Sequence, residues 1–260
     1  MPGERGHGQS RNGTHAKEGA FACVLAYHLR RCESSTNIRS FFFVDLNAGS
    51  GHNDHANVTG SPLLFRRHAR KCHNLSTVAW YCEKNKERFA DLNRALEDKQ
   101  LTLFSGPSTC EHRTMRVDNG AFLGMLPDLI KPYQPPRYAQ GFIYSDPNGV
   151  NDGRGGFPLI EIGKAAREFP RFVICITYAW QSALRVLGYK RNHDADVFTI
   201  DDIFGHVNRP YWLITPSTPH GRVVLCASSD RIPGNTKYPF FYDVESHDGR
   251  KILRQVRGQK

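Results

Sequence analysis

Residues 41–51 read Phe-Phe-Phe-Val-Asp-Leu-Asn-Ala-Gly-Ser-Gly, a pattern that predicts a strand followed by a tight loop. The apolar residues 41–44 are typical of a strand that is buried on both faces of a sheet. Asp45 ends the apolar run, and a loop of small residues follows. Glycine allows a tight turn in which backbone amides approach a ligand closely. Because glycine-rich turns also end many strands for steric reasons alone, a plain turn stays open as an alternative.

A second segment of this kind lies about a hundred residues later. Residues 141–149 read Gly-Phe-Ile-Tyr-Ser-Asp-Pro-Asn-Gly, so an apolar strand again ends at an acidic residue. Between the two segments, Glu83 follows the apolar run 77–82. The carboxyl ends of parallel strands share one edge of a sheet, where ligands bind. We therefore expect the 45–51 loop, Glu83 and the turn at Asp146 to surround one crevice.

Alternating strand and helix patterns predict an α/β fold, with a Rossmann-like, mostly parallel sheet, helices on both faces and an antiparallel C-terminal hairpin. Residues 1–14 are polar, basic and glycine-rich, and we predict a disordered tail followed by a single domain over 15–260. We predict strands at 40–46, 77–82, 101–104, 141–145, 171–177 and 240–244, a hairpin of 212–215 with 223–227, and helices at 17–32, 62–72, 85–96, 120–130, 159–168 and 178–187.

The composition favours an anionic partner. The formal net charge is +10, and basic residues cluster at 66–71 and again at 250–260, although solvated surface is the commoner fate of such runs. The seven cysteines form no C-x-x-C pair, which indicates reduced thiols, and the twelve histidines show no metal-ligand spacing. We therefore expect no metal. We also expect no membrane span, because no apolar run is long enough. We expect a cytoplasmic location, because the N-terminus does not resemble a signal peptide.

The order of the motifs resembles that of a known family. Lys17, the Phe43–Gly51 stretch, Gly-Ser-Pro-Leu at 60–63, Glu83 through Phe89 and the 146–149 turn follow the pattern of the three-Cys-motif partner family of methyltransferases. The similarity covers about residues 15–190, and this chain departs from the pattern at Asn47 and Asn148. The resemblance implies S-adenosylmethionine as cofactor. The expected cofactor-binding residues are Lys17, Asp45, Asn47, Ala48, Gly49, Gly51 and Glu83, where the Glu83 carboxylate suits two ribose hydroxyls.

The 146–149 turn also resembles the (Asp/Asn/Ser)-Pro-Pro-(Tyr/Phe/Trp) motif of nucleic-acid amino-methyltransferases. Asp146 and Pro147 match, whereas Asn148 and Gly149 replace the second proline and the aromatic residue that stacks on an extruded base. All four are also ordinary turn residues. The resemblance implies that the turn is catalytic, with a carboxylate and a neighbouring carbonyl accepting the two N–H bonds of an exocyclic amine. The expected catalytic residues are Asp146, Pro147, Asn148 and Gly149.

Other residues are candidates for contact with the substrate. Tyr144, Phe157, Tyr178 or Trp180 is expected to stack on the base. Arg66 and Arg67 are expected to contact phosphates. The predicted function is S-adenosylmethionine-dependent methylation of an exocyclic amino group on a nucleic-acid base, with N6 of adenine in DNA first and N4 of cytosine in DNA second. The alternatives are a methyltransferase of RNA or of a small molecule, and an inactive nucleic-acid-binding module. The spacing Gly-x-Gly-x-x-Gly is absent, which disfavours a dinucleotide oxidoreductase.

Overall fold

The computed structural model describes residues 11–53, 58–97, 109–147, 157–189, 197–232 and 241–259. The strands are β1 (Ser40–Asp45), β2 (His52–Asn53), β3 (Val58–Thr59), β4 (Ser76–Cys82), β5 (Cys110–Met115), β6 (Gln140–Ser145), β7 (Phe172–Tyr178), β8 (Tyr211–Ile214), β9 (Val223–Ser228) and β10 (Tyr242–Asp243). The helices are α1 (Arg11–Glu33), α2 (Ser61–Ala69), α3 (Lys86–Glu97), α4 (Asn119–Ile130), α5 (Leu159–Glu168), α6 (Trp180–Tyr189), α7 (Ile200–Val207) and α8 (His247–Val256).

One eight-stranded sheet has the order β10-β8-β9-β7-β6-β1-β4-β5. The strands from β7 to β5 pair in parallel, whereas β9, β8 and β10 pair in antiparallel fashion. The parallel half has the strand order of a Rossmann-like sheet, in which the first strand is central and the order reverses beside it. The predicted mostly parallel sheet and C-terminal hairpin are confirmed, and the reversal lies between β1 and β6.

The apolar run in β1 faces two cores. Phe42 and Val44 pack with α4, α5, α7 and α8 on one face, whereas Phe41 and Phe43 pack with α1, α2 and α3 on the other. Side chains alternate between the faces of a strand, so a strand that is covered on both sides has no polar position. The sequence pattern of 41–44 therefore reports the three-layer architecture directly.

Several predicted boundaries change. Helix α1 begins at Arg11, so residues 11–14 of the expected tail are helical. Helix α6 begins at Trp180 and not at Tyr178, because Tyr178 is the last residue of β7. The predicted strand 101–104 lies outside the described residues. The sheet's third strand in chain order is β5, which the sequence analysis missed because this edge strand alternates exposed charged and half-buried residues.

Two helices near the C-terminus were also missed. Helix α7 begins with a capping box, in which the Thr199 side chain accepts from the Asp202 backbone N–H and the Asp202 carboxylate accepts in return. Helix α8 takes up most of the basic C-terminal run, and its C-cap residue Arg257 bonds Asp201 at 2.6 Å. All seven cysteines are free. Within the described ranges, no helix combines the length and apolarity that a membrane crossing requires.

Candidate functional site

The loop after β1 is organised by a buried carboxylate. Asp45 has no exposed surface; its Oδ1 accepts from the Asn47 backbone N–H at 3.0 Å, and its Oδ2 accepts from Ser61 Oγ at 2.5 Å. Burial raises the pKa of the Asp45 carboxyl to about 7, although these two hydrogen bonds oppose part of the rise. Direct cofactor contact was expected of Asp45. Instead it lies beneath the loop and joins the loop to the first residue of α2.

Asn47 connects the two sequence motifs. Its Oδ1 accepts from the Asp146 backbone N–H at 3.1 Å and from Ser145 Oγ at 3.3 Å. The backbone on either side is also bonded to the sheet, because the Leu46 N–H donates to the Tyr144 carbonyl at 2.9 Å and the Ala48 N–H donates to the Cys82 carbonyl at 3.0 Å. The loop after β1 and the turn after β6 therefore form one connected unit at the carboxyl edge of the sheet.

The glycines of the loop have different surroundings. Gly49 and Gly51 both have left-handed backbones, with φ of 64° and 82°. A Cβ on Gly51 would lie 3.3 Å from Leu92 Cδ1 on α3, whereas a Cβ on Gly49 would meet no atom of the described residues within 4 Å. Open space at Gly49 is what a loop that receives a ligand requires. The loop residues Asn47 and Gly49 are half-buried, and Ala48 is buried.

Gly60 lies in close contact with the glycine loop. A Cβ at this position would lie 2.7 Å from the Gly51 carbonyl oxygen, which accepts from the Gly60 N–H at 2.9 Å. We expect Gly60→Ala to push the loop away from α2 and to lower the free energy of unfolding by about 1–3 kcal/mol, as overpacking does. Gly124→Ala, in helix α4, is the control, because its Cβ would meet none of the described atoms within 4 Å. Equal melting temperatures for wild type and Gly60→Ala would contradict this prediction.

Glu83 lies where the sequence analysis placed it, just past the end of β4. It is half-buried, and its Oε1 accepts from the Asn85 backbone N–H at 2.7 Å. Asn85 Oδ1 in turn accepts from the first backbone amides of α3 at 2.9 and 3.0 Å. This turn holds the carboxylate next to the loop, which bonds the end of the same strand through Ala48. The side chain of Lys17, in α1, lies outside the described residues.

Asp146 faces a cation that the sequence analysis missed. Arg222 Nη1 lies 3.8 Å from Asp146 Oδ1, and the two side chains are 21% and 20% exposed. Arg222 directly precedes β9, whose first residue, Val223, pairs with Tyr178 at the carboxyl end of β7. The predicted hairpin was the signal that could have located Arg222, because an antiparallel strand begins at the edge of the sheet where its parallel neighbour ends. Pro147 is buried, and Asn148 and Gly149 lie outside the described residues.

Two of the four aromatic candidates, Tyr144 and Phe157, are buried in the core, so neither presents a ring face to a base and these two expectations are corrected. The other two candidates differ in exposure. Trp180 is half-buried at the start of α6, and its Nε1 donates to Ser217 Oγ in the β8–β9 hairpin at 2.8 Å. Tyr178 is 4% exposed, and its hydroxyl donates to the Phe198 carbonyl at 3.1 Å. Tyr178 therefore presents no open ring face, and the expectation that it stacks on a base is corrected. Trp180 stays a candidate at the edge of the site.

The two arginine candidates lie away from the crevice. Helix α2 begins at Ser61 beside Asp45, so Arg66 and Arg67 are about 8–9 Å further along the helix axis. Arg66 is 4% exposed, and its Nη1 donates to the Ala95 carbonyl at 3.4 Å. Arg66 therefore packs between helices and does not form open basic surface, which corrects the expected phosphate contact. Arg67 is exposed.

Comparisons with solved structures give a fold. Protein LPL1258 of Legionella pneumophila, a DUF519 protein, superposes with a TM-score of 0.52 at 12% identity over 92% of each chain. The chain is Rossmann-like. A DUF574 protein from Streptomyces avermitilis has a TM-score of 0.45 at 12% identity over 83% of each chain. A SAM-dependent methyltransferase from Agrobacterium tumefaciens has a TM-score of 0.42 at 9% identity over 80% of this chain and 61% of that one.

Searches by sequence add no family. No protein-family model matches the chain, and no curated protein matches it. The resemblance to the three-Cys-motif partner family is therefore not confirmed. At such low identity, the superposition on LPL1258 shows a common fold and leaves the activity to be argued from the site.

Proposed function

We propose that the protein is an S-adenosylmethionine-dependent methyltransferase that acts on an exocyclic amino group of a nucleic-acid base, with N6 of adenine in DNA as the first candidate. One observation carries the proposal: Asn47 joins the glycine loop after β1 to Asp146 after β6. These two strands flank the reversal of strand order, where ligand crevices form in open α/β sheets.

The residues at this edge fit the cofactor. Open space faces Gly49, so a nucleoside can approach the backbone at this residue, and the half-buried Glu83 carboxylate can accept hydrogen bonds from ribose hydroxyls. Asp45 acts indirectly, because it fixes the loop to α2. When bound, S-adenosylmethionine supplies an electrophilic methyl group on a positively charged sulfur. The motif order that resembles methyltransferases points to the same cofactor.

Asp146 carries the proposed chemistry. An exocyclic amine is a poor nucleophile whose lone pair must be aimed before it can react. A carboxylate that accepts one of its N–H bonds, together with a neighbouring backbone carbonyl, orients the amine and stabilises the positive charge that develops on nitrogen. The bond from the Asp146 N–H to Asn47 holds this group at a fixed distance from the glycine loop.

The nucleic-acid part of the proposal has separate support. The net charge of +10 favours a polyanion, and Trp180 is a half-buried aromatic side chain on the strand β7 side of the site. Enzymes that modify bases often stack an extruded base on an aromatic ring. Trp180 takes that role in the proposal, in place of the aromatic residue that the 146–149 turn lacks.

The test uses purified protein with unmethylated DNA and, in parallel, RNA. Each polymer is incubated with S-adenosylmethionine and digested, and its nucleosides are identified by mass spectrometry; calorimetry measures cofactor binding separately. N6-methyladenine from DNA is the expected result. Methylation of RNA alone would replace DNA as the substrate. Cofactor binding without a methylated nucleoside would contradict a nucleic-acid substrate, and polymer binding without cofactor binding would favour an inactive module.

A further inference from the structure

We infer that Arg222 is a positioning residue for Asp146, held above the end of β7 by the β8–β9 hairpin. This inference rests on the proposed function, because it assigns a task to Arg222 in the same reaction. The feature that carries it is the contact of 3.8 Å between Arg222 Nη1 and Asp146 Oδ1. Both side chains are about four-fifths buried, which weakens solvent screening of the pair.

The register of the sheet shows how far Arg222 reaches. Ser145 pairs with Ile176 on one side of β7, and Val223 pairs with Tyr178 on the other. Arg222 and Asp146 thus leave two strands that flank β7 and lie about 10 Å from each other at ordinary strand spacing. The arginine side chain crosses the carboxyl end of β7 to meet the carboxylate. Only a long side chain at this position can span the gap.

The backbone that carries Arg222 is held from both directions. The Arg222 N–H donates to Thr218 Oγ1 at 3.2 Å, and the Thr218 N–H donates to the Arg222 carbonyl at 2.8 Å. Gly221 is left-handed, with φ of 65°, and a Cβ there would overlap the Gln181 side chain of α6. The hydrogen bond from Trp180 to Ser217 links the hairpin to α6. Catalytic groups keep a productive geometry only when their supports are fixed in this way.

The chemistry requires such a support. A carboxylate that aims an amine must present one oxygen in a defined direction, whereas an unsupported Asp side chain rotates about two bonds. A guanidinium within about 4 Å of one oxygen favours the side-chain rotamers that keep this oxygen next to the positive charge. Asn47 holds the backbone of Asp146, and Arg222 holds its side chain.

The kinetic test compares Arg222→Met with Arg222→Lys. Met removes the charge at similar length, and we expect kcat to fall about 10²-fold while KM for the polymer and Kd for S-adenosylmethionine stay within about threefold, the signature of an interaction that matters in the transition state. The kcat of Arg222→Lys is expected to be about tenfold higher than that of Arg222→Met. Arg231→Met is the control, because Arg231 pairs with Asp243 at a similar 3.7 Å on the edge strand β10. An unchanged kcat, or a rise in KM alone, would overturn the inference.

A stability cycle tests the contact without any activity. Arg222→Met, Asp146→Ala and the double variant are melted beside wild type. We expect the double variant to melt no lower than the less stable single variant, because each single change already breaks the pair. Additive losses in melting temperature would overturn the inference. If no polymer is methylated but the cycle is non-additive, the proposed function fails and the Arg222–Asp146 contact stands.

Discussion

Replacing Asp146 by Ala is expected to lower the rate of methyl transfer about 10³-fold, the range found when a group that stabilises transition-state charge is removed. The Kd for S-adenosylmethionine should change less than about twofold, because the glycine loop and Glu83 are bonded to the sheet independently of the Asp146 side chain. Single-turnover rates with saturating cofactor, and calorimetry for Kd, measure the two effects separately.

The control and a graded variant sharpen this prediction. Asp243→Ala removes a carboxylate that is also paired with an arginine, at 3.7 Å, and it should leave the rate unchanged. Asp146→Asn should retain more activity than Asp146→Ala, because an amide oxygen still accepts one N–H and the motif of nucleic-acid amino-methyltransferases tolerates Asn there. If Asp146→Ala transfers methyl groups at the wild-type rate, the turn after β6 is not catalytic.

The second large effect concerns stability and pH, and it comes from Asp45. The folded-state pKa is raised by burial to about 7, from an ordinary value of 3.8. Between these values the folded protein holds a proton that the unfolded chain has released. The stabilising contribution of Asp45 to the free energy of unfolding is therefore fully present below about pH 4. It is lost as pH rises towards 7, by about 1.4 kcal/mol per pH unit.

Asp45→Asn should remove this dependence. The amide can accept from the Asn47 N–H and donate to Ser61 Oγ, so both hydrogen bonds survive without a buried charge. The free energy of unfolding of Asp45→Asn, minus that of wild type, is expected to rise by about 3–4 kcal/mol between pH 4 and pH 7, in proportion to the shift in pKa. Urea titrations at unit steps of pH measure it.

The quantity to measure is the difference in free energy of unfolding between Asp45→Asn and wild type. The wild-type curve alone is not sufficient, because two histidines add a pH dependence of their own. Burial lowers the pKa of His28 and of His112 to about 4, so the folded protein keeps them neutral while the unfolded chain binds protons below about 6.5. Their contribution is lost as pH falls, opposite in sign to that of Asp45. Asp128→Asn, an exposed change in α4, is the control. A constant difference between Asp45→Asn and wild type from pH 4 to pH 8 would contradict the prediction.

Local patterns were sufficient for most of the sheet. The apolar runs of β1, β6 and β7 are buried on both faces, so each is recognisable without knowledge of its neighbours. The edge strand β5 was missed for the converse reason. Its exposed face is charged, with Glu111 and Arg113, and only its pairing with β4 identifies it as a strand.

The candidate site divides in the same way. The sequence by itself determined the Rossmann-like class, the glycine loop, and the positions of Glu83 and Asp146 at strand ends, because these are properties of short segments. Only the tertiary structure decided that Asn47 bonds the Asp146 backbone 99 residues away, that Arg222 crosses β7 to the same residue, and that Asp45 and Arg66 are buried. Such contacts depend on strand order and register, and residue periodicity reports neither.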